Sequence, residues 1–145
     1  MAFKINLSDK TGKTYKLETE AEALIDKKLH ETVDGKDISD DLEGFEFEIT
    51  GASDKSGFTS MKDVEGIGIK KVLLGYGKGM HIKPKKEGKK KLSNNKPNGL
   101  RLRKTVRGNT ISSDIVQINM KVLKEGKTSL AKTFGPKEES VPEAQ

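Results

Sequence analysis

The chain contains 145 residues, of which 32% are hydrophobic and 34% are charged, and it has no cysteine. This length suits one domain with at most a small extension, and the lack of cysteine excludes a disulfide framework and a Cys-based zinc site. No apolar run approaches the roughly 18 residues of a membrane span, and the N-terminus lacks a signal-peptide pattern. We therefore expect a cytoplasmic protein that has no membrane partner.

The positive charge is concentrated in one part of the chain. Residues 66–127 hold 17 Lys and Arg against 3 Asp and Glu, whereas residues 1–65 hold 9 against 16. Such an excess contributes nothing to folding, because like charges repel, but it attracts polyanions that carry many phosphates. The distribution predicts a protein that binds nucleic acid through its second half.

The first half of the sequence has the patterns of short strands and turns. Alternating apolar and polar residues predict strands at 3–7 and 14–17, joined by turn residues at 9–13. A capped helix of two turns at most is expected at 19–25, and a further strand at 28–33. Acidic residues then mark a solvated loop without the spacing of an EF-hand: Asp37, Asp40, Asp41 and Glu43.

Three further strands are predicted. The clearest alternation, at 45–49, places Phe45, Phe47 and Ile49 on one face; residues 70–74 suggest a buried strand, and residues 115–123 alternate again. Short strands with Gly-rich turns predict a mainly all-β fold, a barrel of about six strands or a sandwich.

The strand pattern does not extend over the whole chain. It breaks down at about 83–104, where almost nothing can be buried, so we expect a flexible basic arm within a domain spanning 1–127. The polar residues 128–145 are expected to form a disordered tail.

Residues that could perform chemistry are few and scattered. His30 and His81 lie far apart in sequence, and His81 sits in a basic stretch without a nearby carboxylate, so surface positions are expected for both. The glycines at 66–68 and 75–79 lack the ending of a Walker loop and the full dinucleotide fingerprint, and they are expected to form turns. We therefore predict no enzyme activity, no cofactor, no metal site and no small-molecule substrate.

The basic residues are the candidates for function. Arginines can grip phosphates with two parallel hydrogen bonds, and exposed aromatic residues are nearly absent from this region. That combination favours recognition of the backbone and shape of folded RNA over stacking on single strands. The RNA-binding residues predicted from charge are Lys70, Lys71, Lys83, Lys85, Lys86, Lys89, Lys90, Lys91, Arg101, Arg103, Lys104 and Arg107.

Two segments resemble motifs of the ribosomal protein S6e family of archaeal and eukaryotic small subunits. Residues 103–112 (Arg-Lys-Thr-Val-Arg-Gly-Asn-Thr-Ile-Ser) carry the first, together with 114–119, and residues 49–58 look like the family's Gly-Gly-x-Asp-x-x-Gly element. Other matching segments follow in the family's order between about residues 3 and 126. Ala52 stands where the family usually has its second Gly, and residues 92–100 add an Asn/Lys/Pro-rich stretch.

The resemblance implies a structural constituent of the small (30S) ribosomal subunit, with 16S-type ribosomal RNA and neighbouring small-subunit ribosomal proteins as partners. Arg103, Lys104, Arg107, Asn109 and Thr110 are then the strongest candidates for defined RNA contacts, although Gly108-Asn109 could equally be a tight turn between strands. The charge pattern alone also admits an interaction module whose acidic half docks a protein, or a DNA-binding chromatin protein. The arm is expected to order along RNA by neutralising phosphates.

Overall fold

The computed structural model describes residues 2–80 and 98–135. Most of the predicted basic arm and residues 136–145 lie outside these described residues. Within them the protein is mainly β, as the alternation predicts, with a five-stranded mixed sheet and a separate two-stranded ribbon.

The five-stranded sheet has the order β2-β1-β7-β4-β3. Its strands are β1 (Phe3–Ser8), β2 (Thr14–Thr19), β3 (Thr32–Asp34), β4 (Glu46–Asp54) and β7 (Ile115–Lys124). β1 and β2 form the predicted hairpin, in which the Asp9 N–H donates to the Lys13 carbonyl over 2.8 Å. β1 runs parallel to β7, and β4 runs antiparallel to it, so β7 is the central strand.

The core lies against one face of this sheet. The predicted set of Phe45, Phe47 and Ile49 is buried, and the rings of Phe45 and Phe47 stack with centroids 5.7 Å apart. Leu24 and Leu42, from single 3-10 turns at Glu22–Leu24 and Asp40–Leu42, belong to the same hydrophobic cluster. The loops between β2 and β4 therefore cover the apolar face that the strands provide.

The predicted closed barrel is wrong. β2 and β3 are the two edges of an open sheet, and the remaining two described strands pair with each other instead of with those edges. The 3-10 turns cover the core, so burial of the apolar face does not require the sheet to close.

The ribbon consists of β5 (Ile69–Leu74) and β6 (Leu102–Arg107), which are antiparallel. The strand predicted at 70–74 exists, but it is not buried: Ile69 and Leu73 are 51% and 52% exposed. The sequence pattern missed β6, because four of its six residues are polar or charged and its one fully buried side chain is Val106.

The connecting segment at residues 59–60 joins the ribbon to the sheet. Thr59 pairs with Ser53 of β4, and Ser60 pairs with Arg107 of β6. The Ser60 N–H donates to the Ala52 carbonyl, while the Arg107 N–H donates to the Thr59 carbonyl, both over 2.9 Å. These bonds place the end of β6 beside the end of β4.

Two smaller elements differ from the expectation. The helix predicted at 19–25 is one 3-10 turn whose N-cap residue is Ala21, which has no side-chain acceptor; Thr19, the predicted cap, ends β2 and its hydroxyl donates to the Ile38 carbonyl. In the segment where a tail is expected, residues Leu130–Phe134 form helix α1, and Leu130 is buried in the core. The core thus includes a residue beyond 127.

Candidate RNA interface

The ribbon brings four of the predicted cationic residues together. Lys70 and Lys71 lie on β5, and Arg103 and Lys104 lie on β6. Strand register pairs Lys71 with Thr105 and Leu73 with Arg103, so Lys71 and Arg103 share one face of the ribbon. Lys70 and Lys104 belong to the opposite face. No Asp or Glu interrupts residues 69–74 or 101–107.

A shallow cleft of about 380 Å³ lies beside the ribbon. Its polar lining includes the cations Lys71, Arg103 and Lys104 with the hydroxyl-bearing Thr59 and Thr105. An open, cation-lined cleft of this kind suits an anionic backbone better than a small apolar ligand, which normally requires an enclosed and mostly apolar pocket.

The cations of the ribbon are available to a partner. Among the described residues, none of the carboxylates lies within ion-pair distance of Lys70, Lys71, Arg101, Arg103 or Lys104. All except the half-buried Lys104 are exposed. Their charge is therefore not neutralised inside the described part of the protein.

Arg107 has a different environment from the other cations of β6. Its Nε donates to Oδ2 of Asp54 over 2.7 Å, and its side chain is 12% exposed against 4% for that of Asp54. Its Nη1 also donates to the Ile67 carbonyl, at 3.3 Å, and to Oδ2 of Asp114, at 3.4 Å. The guanidinium predicted to contact RNA thus has three acceptors within the protein.

Asp54 is fixed by its own turn as well as by Arg107. The Phe58 N–H donates to Oδ1 of Asp54 over 2.9 Å, and Gly57 closes the turn with a φ of 85°. Burial of Asp54 opposes ionisation, but the hydrogen bonds from Arg107 and the Phe58 N–H outweigh it, so the pKa of this carboxyl lies below its ordinary value. The two motifs that carry the family resemblance therefore meet in one buried ion pair.

Gly108 and Asn109 continue this internal structure. A Cβ at Gly108 would overlap the backbone carbonyl of Gly66, so only glycine fits there. The Asn109 N–H donates to the Val64 carbonyl over 2.8 Å, and its carbonyl accepts from the Leu29 N–H over 2.9 Å. The Thr110 hydroxyl donates to Oδ1 of Asn109 over 3.1 Å. The sequence allowed Gly108-Asn109 to be either an RNA contact or a tight connection between strands, and these contacts show that it is a tight connection. RNA contacts by Asn109 and Thr110 stay predictions.

The sequence did not reveal which acid pairs with Arg107. Asp54 and Arg107 are 53 positions apart, and no local pattern distinguishes Asp54 from the other acidic residues of the first half. The only signal was that each belongs to a segment resembling a family motif. Six of the predicted RNA-binding residues lie outside the described residues: Lys83, Lys85, Lys86, Lys89, Lys90 and Lys91.

Other chemistry is not indicated in the described ranges. His30 is 42% exposed and its Nδ1 lies 2.9 Å from Oε1 of Glu48, which is a surface position as expected. Across residues 2–80 and 98–135, no three His, Asp or Glu side chains are grouped to hold a metal ion. None of the helices in this part of the chain is long and apolar enough to cross a membrane.

Comparison with known proteins agrees with the resemblance. Residues 3–135 match the family model of ribosomal protein S6e. The small ribosomal subunit protein eS6 of Methanococcus maripaludis is 45% identical over 90% of this chain and 94% of its own length. The proteins of that name from Methanocaldococcus jannaschii and Methanosphaera stadtmanae are 41% and 40% identical, over 87% and 99% of this chain and 85% and 100% of their own lengths.

Proposed function

The chain belongs to the ribosomal protein S6e family, and we infer from this that it is a structural constituent of the small ribosomal subunit. It works by binding and stabilising 16S-type ribosomal RNA, beside neighbouring ribosomal proteins, in the cytoplasm. The protein is not an enzyme and uses no cofactor. The observation that carries the RNA-binding part is the ribbon, where Lys71 and Arg103 are exposed without a carboxylate partner among the described residues.

The electrostatics of the ribbon support contact with phosphates. Each cation that neutralises a phosphate releases condensed counterions, and the gain is largest where no internal carboxylate already holds the cation. Arginine adds a planar fork that matches phosphate oxygens. We assign the direct contacts to Lys70, Lys71, Arg101, Arg103 and Lys104, and we assign Arg107 to positioning β6 against β4.

The basic segment at 83–104 lies between the two strands of the ribbon in the sequence and leads into the second of them. It begins soon after β5 ends and continues into β6, so the chain connects it directly to both strands. We propose that the lysines at 83–91 neutralise further RNA phosphates and that the segment orders on RNA.

A sucrose-gradient profile tests the proposed function. The tagged protein, expressed in a cell whose own copy is deleted or depleted, is expected to sediment with small subunits and to stay there at moderate salt. Depletion is expected to leave small subunits underaccumulated or abnormally sedimenting. Recovery at the top of the gradient or with chromosomal DNA, with normal subunits, would overturn the proposal.

A further inference from the structure

The outer face of the five-stranded sheet carries uncharged polar groups on its central strands. Asn6 of β1 pairs in register with Asn119 of β7, which in turn pairs with Gly51 of β4. Asn6 Nδ2 and Gln117 Nε2 both donate to Oδ1 of Asn119, over 2.9 and 3.1 Å. These two bonds orient the Asn119 amide, and its Nδ2 has no acceptor among the described residues.

A lysine lies over the same point of the sheet. Lys78 Nζ donates to the Thr50 carbonyl over 3.1 Å, which uses one of its three N–H groups. It makes no ion pair with a described carboxylate. From the position of a Cβ on Gly51, Lys78 Nζ would be 3.6 Å away and Asn119 Nδ2 3.9 Å away. Two nitrogen donors therefore converge over a residue that has no side chain.

Gly51 has no conformational requirement for glycine, since its φ lies outside the left-handed region. A Cβ there would make only ordinary contacts, so alanine would fit. β4 changes register between Ile49 and Gly51, which bends the strand locally. A glycine within a strand marks either such an irregularity or a place where another backbone approaches closely, and the two donors indicate an approach by oxygen atoms.

The carboxylate of Glu48, three residues before Gly51 on β4, already has partners within the protein. Both oxygens of Glu48 have partners: Oε1 lies 2.9 Å from His30 Nδ1, and Oε2 lies 2.8 Å from the ammonium Nζ of Lys121. Next to Gly51 in the chain, the Thr50 hydroxyl donates to the Asn119 carbonyl over 3.0 Å. The described groups beside Gly51 are therefore nitrogen donors and a hydroxyl, and the charge of Glu48 is paired with that of Lys121.

We propose that this outer face is a second RNA-contact surface, at which Lys78 Nζ and Asn119 Nδ2 donate to a phosphate or ribose oxygen of ribosomal RNA held over Gly51. The proposal rests on the ribosomal function proposed above and adds a contact separate from the basic ribbon. It gives Gly51, which is buried beneath the two donors and is the first glycine of residues 49–58, the role of leaving them room to converge, beside the structural role of Asp54 in the same motif. Both possible oxygen sources belong to the RNA backbone, and they are recognised by the same donors.

Hydroxyl-radical footprinting of small-subunit ribosomal RNA tests the contact, because it reports protection of the sugar-phosphate backbone. The wild-type chain is bound to the transcribed RNA beside the double variant Lys78→Met/Asn119→Ala. The variant is expected to lose one discrete group of protected nucleotides and to bind about tenfold more weakly. Gly51→Val, which retains both donors but fills the space between them, is expected to lose the same group, and Gly51→Ala to lose less.

The controls separate this contact from the proposed function. Lys13→Met, in the turn between β1 and β2, removes an exposed charge outside the proposed surface and is expected to leave the footprint unchanged. Lys71→Gln/Arg103→Gln/Lys104→Gln is expected to lose a different group of nucleotides. A complete footprint from the folded Lys78/Asn119 variant, or losses identical to those of the ribbon variant, would overturn the second surface. The absence of any footprint from the wild type would instead overturn the RNA-binding function itself.

Discussion

Arg103 and Arg107 lie four residues apart on one strand, yet their surroundings assign them different roles. Arg103 is exposed at the cleft, whereas Arg107 is held by Asp54 in an ion pair with both side chains mostly buried. Burying two charges is costly, so such a pair adds little net stability compared with apolar residues, but removing one partner leaves an uncompensated charge. Arg107 is therefore a residue whose loss affects the fold first and RNA binding second.

Replacing Asp54 by Ala is expected to destabilise the protein by about 3–5 kcal/mol, because the Arg107 guanidinium is left buried without its main partner. Asp114, 3.4 Å from Nη1 and 65% exposed, compensates only weakly. Urea unfolding measures the change. Glu18→Ala, which breaks an exposed pair with Lys4, serves as the control and should cost about 1 kcal/mol or less. Equal destabilisation of the two variants would refute the structural role of the Asp54–Arg107 pair.

The same pair makes a defined contribution to the pH dependence of stability. The folded-state pKa of Asp54 lies below its ordinary value of 3.8. Its stabilising effect is thus fully present above that value and is lost as the pH falls through the lower folded-state pKa. Asp54→Asn is expected to flatten this acidic part of a plot of unfolding free energy against pH. An unchanged slope below pH 3.8 would contradict the lowered pKa.

Gly108 and Gly68 offer a matched test of close backbone packing. A Cβ at Gly108 would overlap the Gly66 carbonyl group, which cannot rotate away as a side chain could, whereas nothing lies within 4 Å of a Cβ at Gly68. Gly108→Ala is expected to cost about 3 kcal/mol, and Gly68→Ala to be nearly neutral. Thermal unfolding of both variants measures the difference. A Gly108→Ala protein as stable as Gly68→Ala would show that this connection is not tightly packed.

At the scale of elements, the sheet provides the core, while the ribbon provides exposed side chains. The sheet buries Phe47, Ile49 and Ile118 completely, while β5 leaves Ile69 and Leu73 half exposed. Exposed apolar side chains that alternate with lysine and arginine contribute little to a core. They form a surface that a larger partner can cover. The exposed side chains of the ribbon can therefore be changed with little effect on stability, unlike its buried Val106 and the ion-paired Arg107.

The triple variant Lys71→Gln/Arg103→Gln/Lys104→Gln tests this division. It is expected to unfold at nearly the wild-type urea concentration, because none of the three cations has an internal ion pair among the described residues. Its affinity for small-subunit ribosomal RNA is expected to fall, and the slope of its salt dependence to decrease by about one for each phosphate that is no longer neutralised. Filter binding at several salt concentrations measures both. A folded variant with wild-type affinity would place the RNA contact elsewhere.

Local patterns predicted the elements whose residues face water on one side and the core on the other. The structure confirms the hairpin at 3–17, the strand around Phe47 and the strand at 115–123. Each could be predicted because apolar and polar residues alternate in it over several positions. β6 was not predicted, because four of its six residues are polar or charged and the apolar alternation is therefore weak. The open sheet and the Asp54–Arg107 pair could not be predicted, because both depend on which distant segments come together, and alternation carries no information about pairing partners.

At the scale of the whole molecule, the charge asymmetry supports the proposed binding of RNA. The excess of 17 Lys and Arg over 3 Asp and Glu in residues 66–127 produces a field that attracts phosphates before any specific contact forms. The acidic first half uses part of its charge internally, as in the pairs of Glu48 with Lys121 and Glu46 with Lys124. These pairs partly neutralise two lysines of β7, whereas the ribbon cations have no carboxylate partner among the described residues.

Counterion release should then dominate binding by the intact chain. If six to ten phosphates are neutralised, affinity for small-subunit ribosomal RNA is expected to fall by about 10³–10⁵ between 50 and 200 mM salt. A titration with monovalent salt measures the slope. The same titration with Lys89→Glu/Lys90→Glu/Lys91→Glu should give weaker binding and a shallower slope, because these charges add to those of the ribbon. A nearly flat dependence in the wild type would mean that hydrogen bonds or apolar contacts hold the RNA, and the exposed cations would then need another explanation.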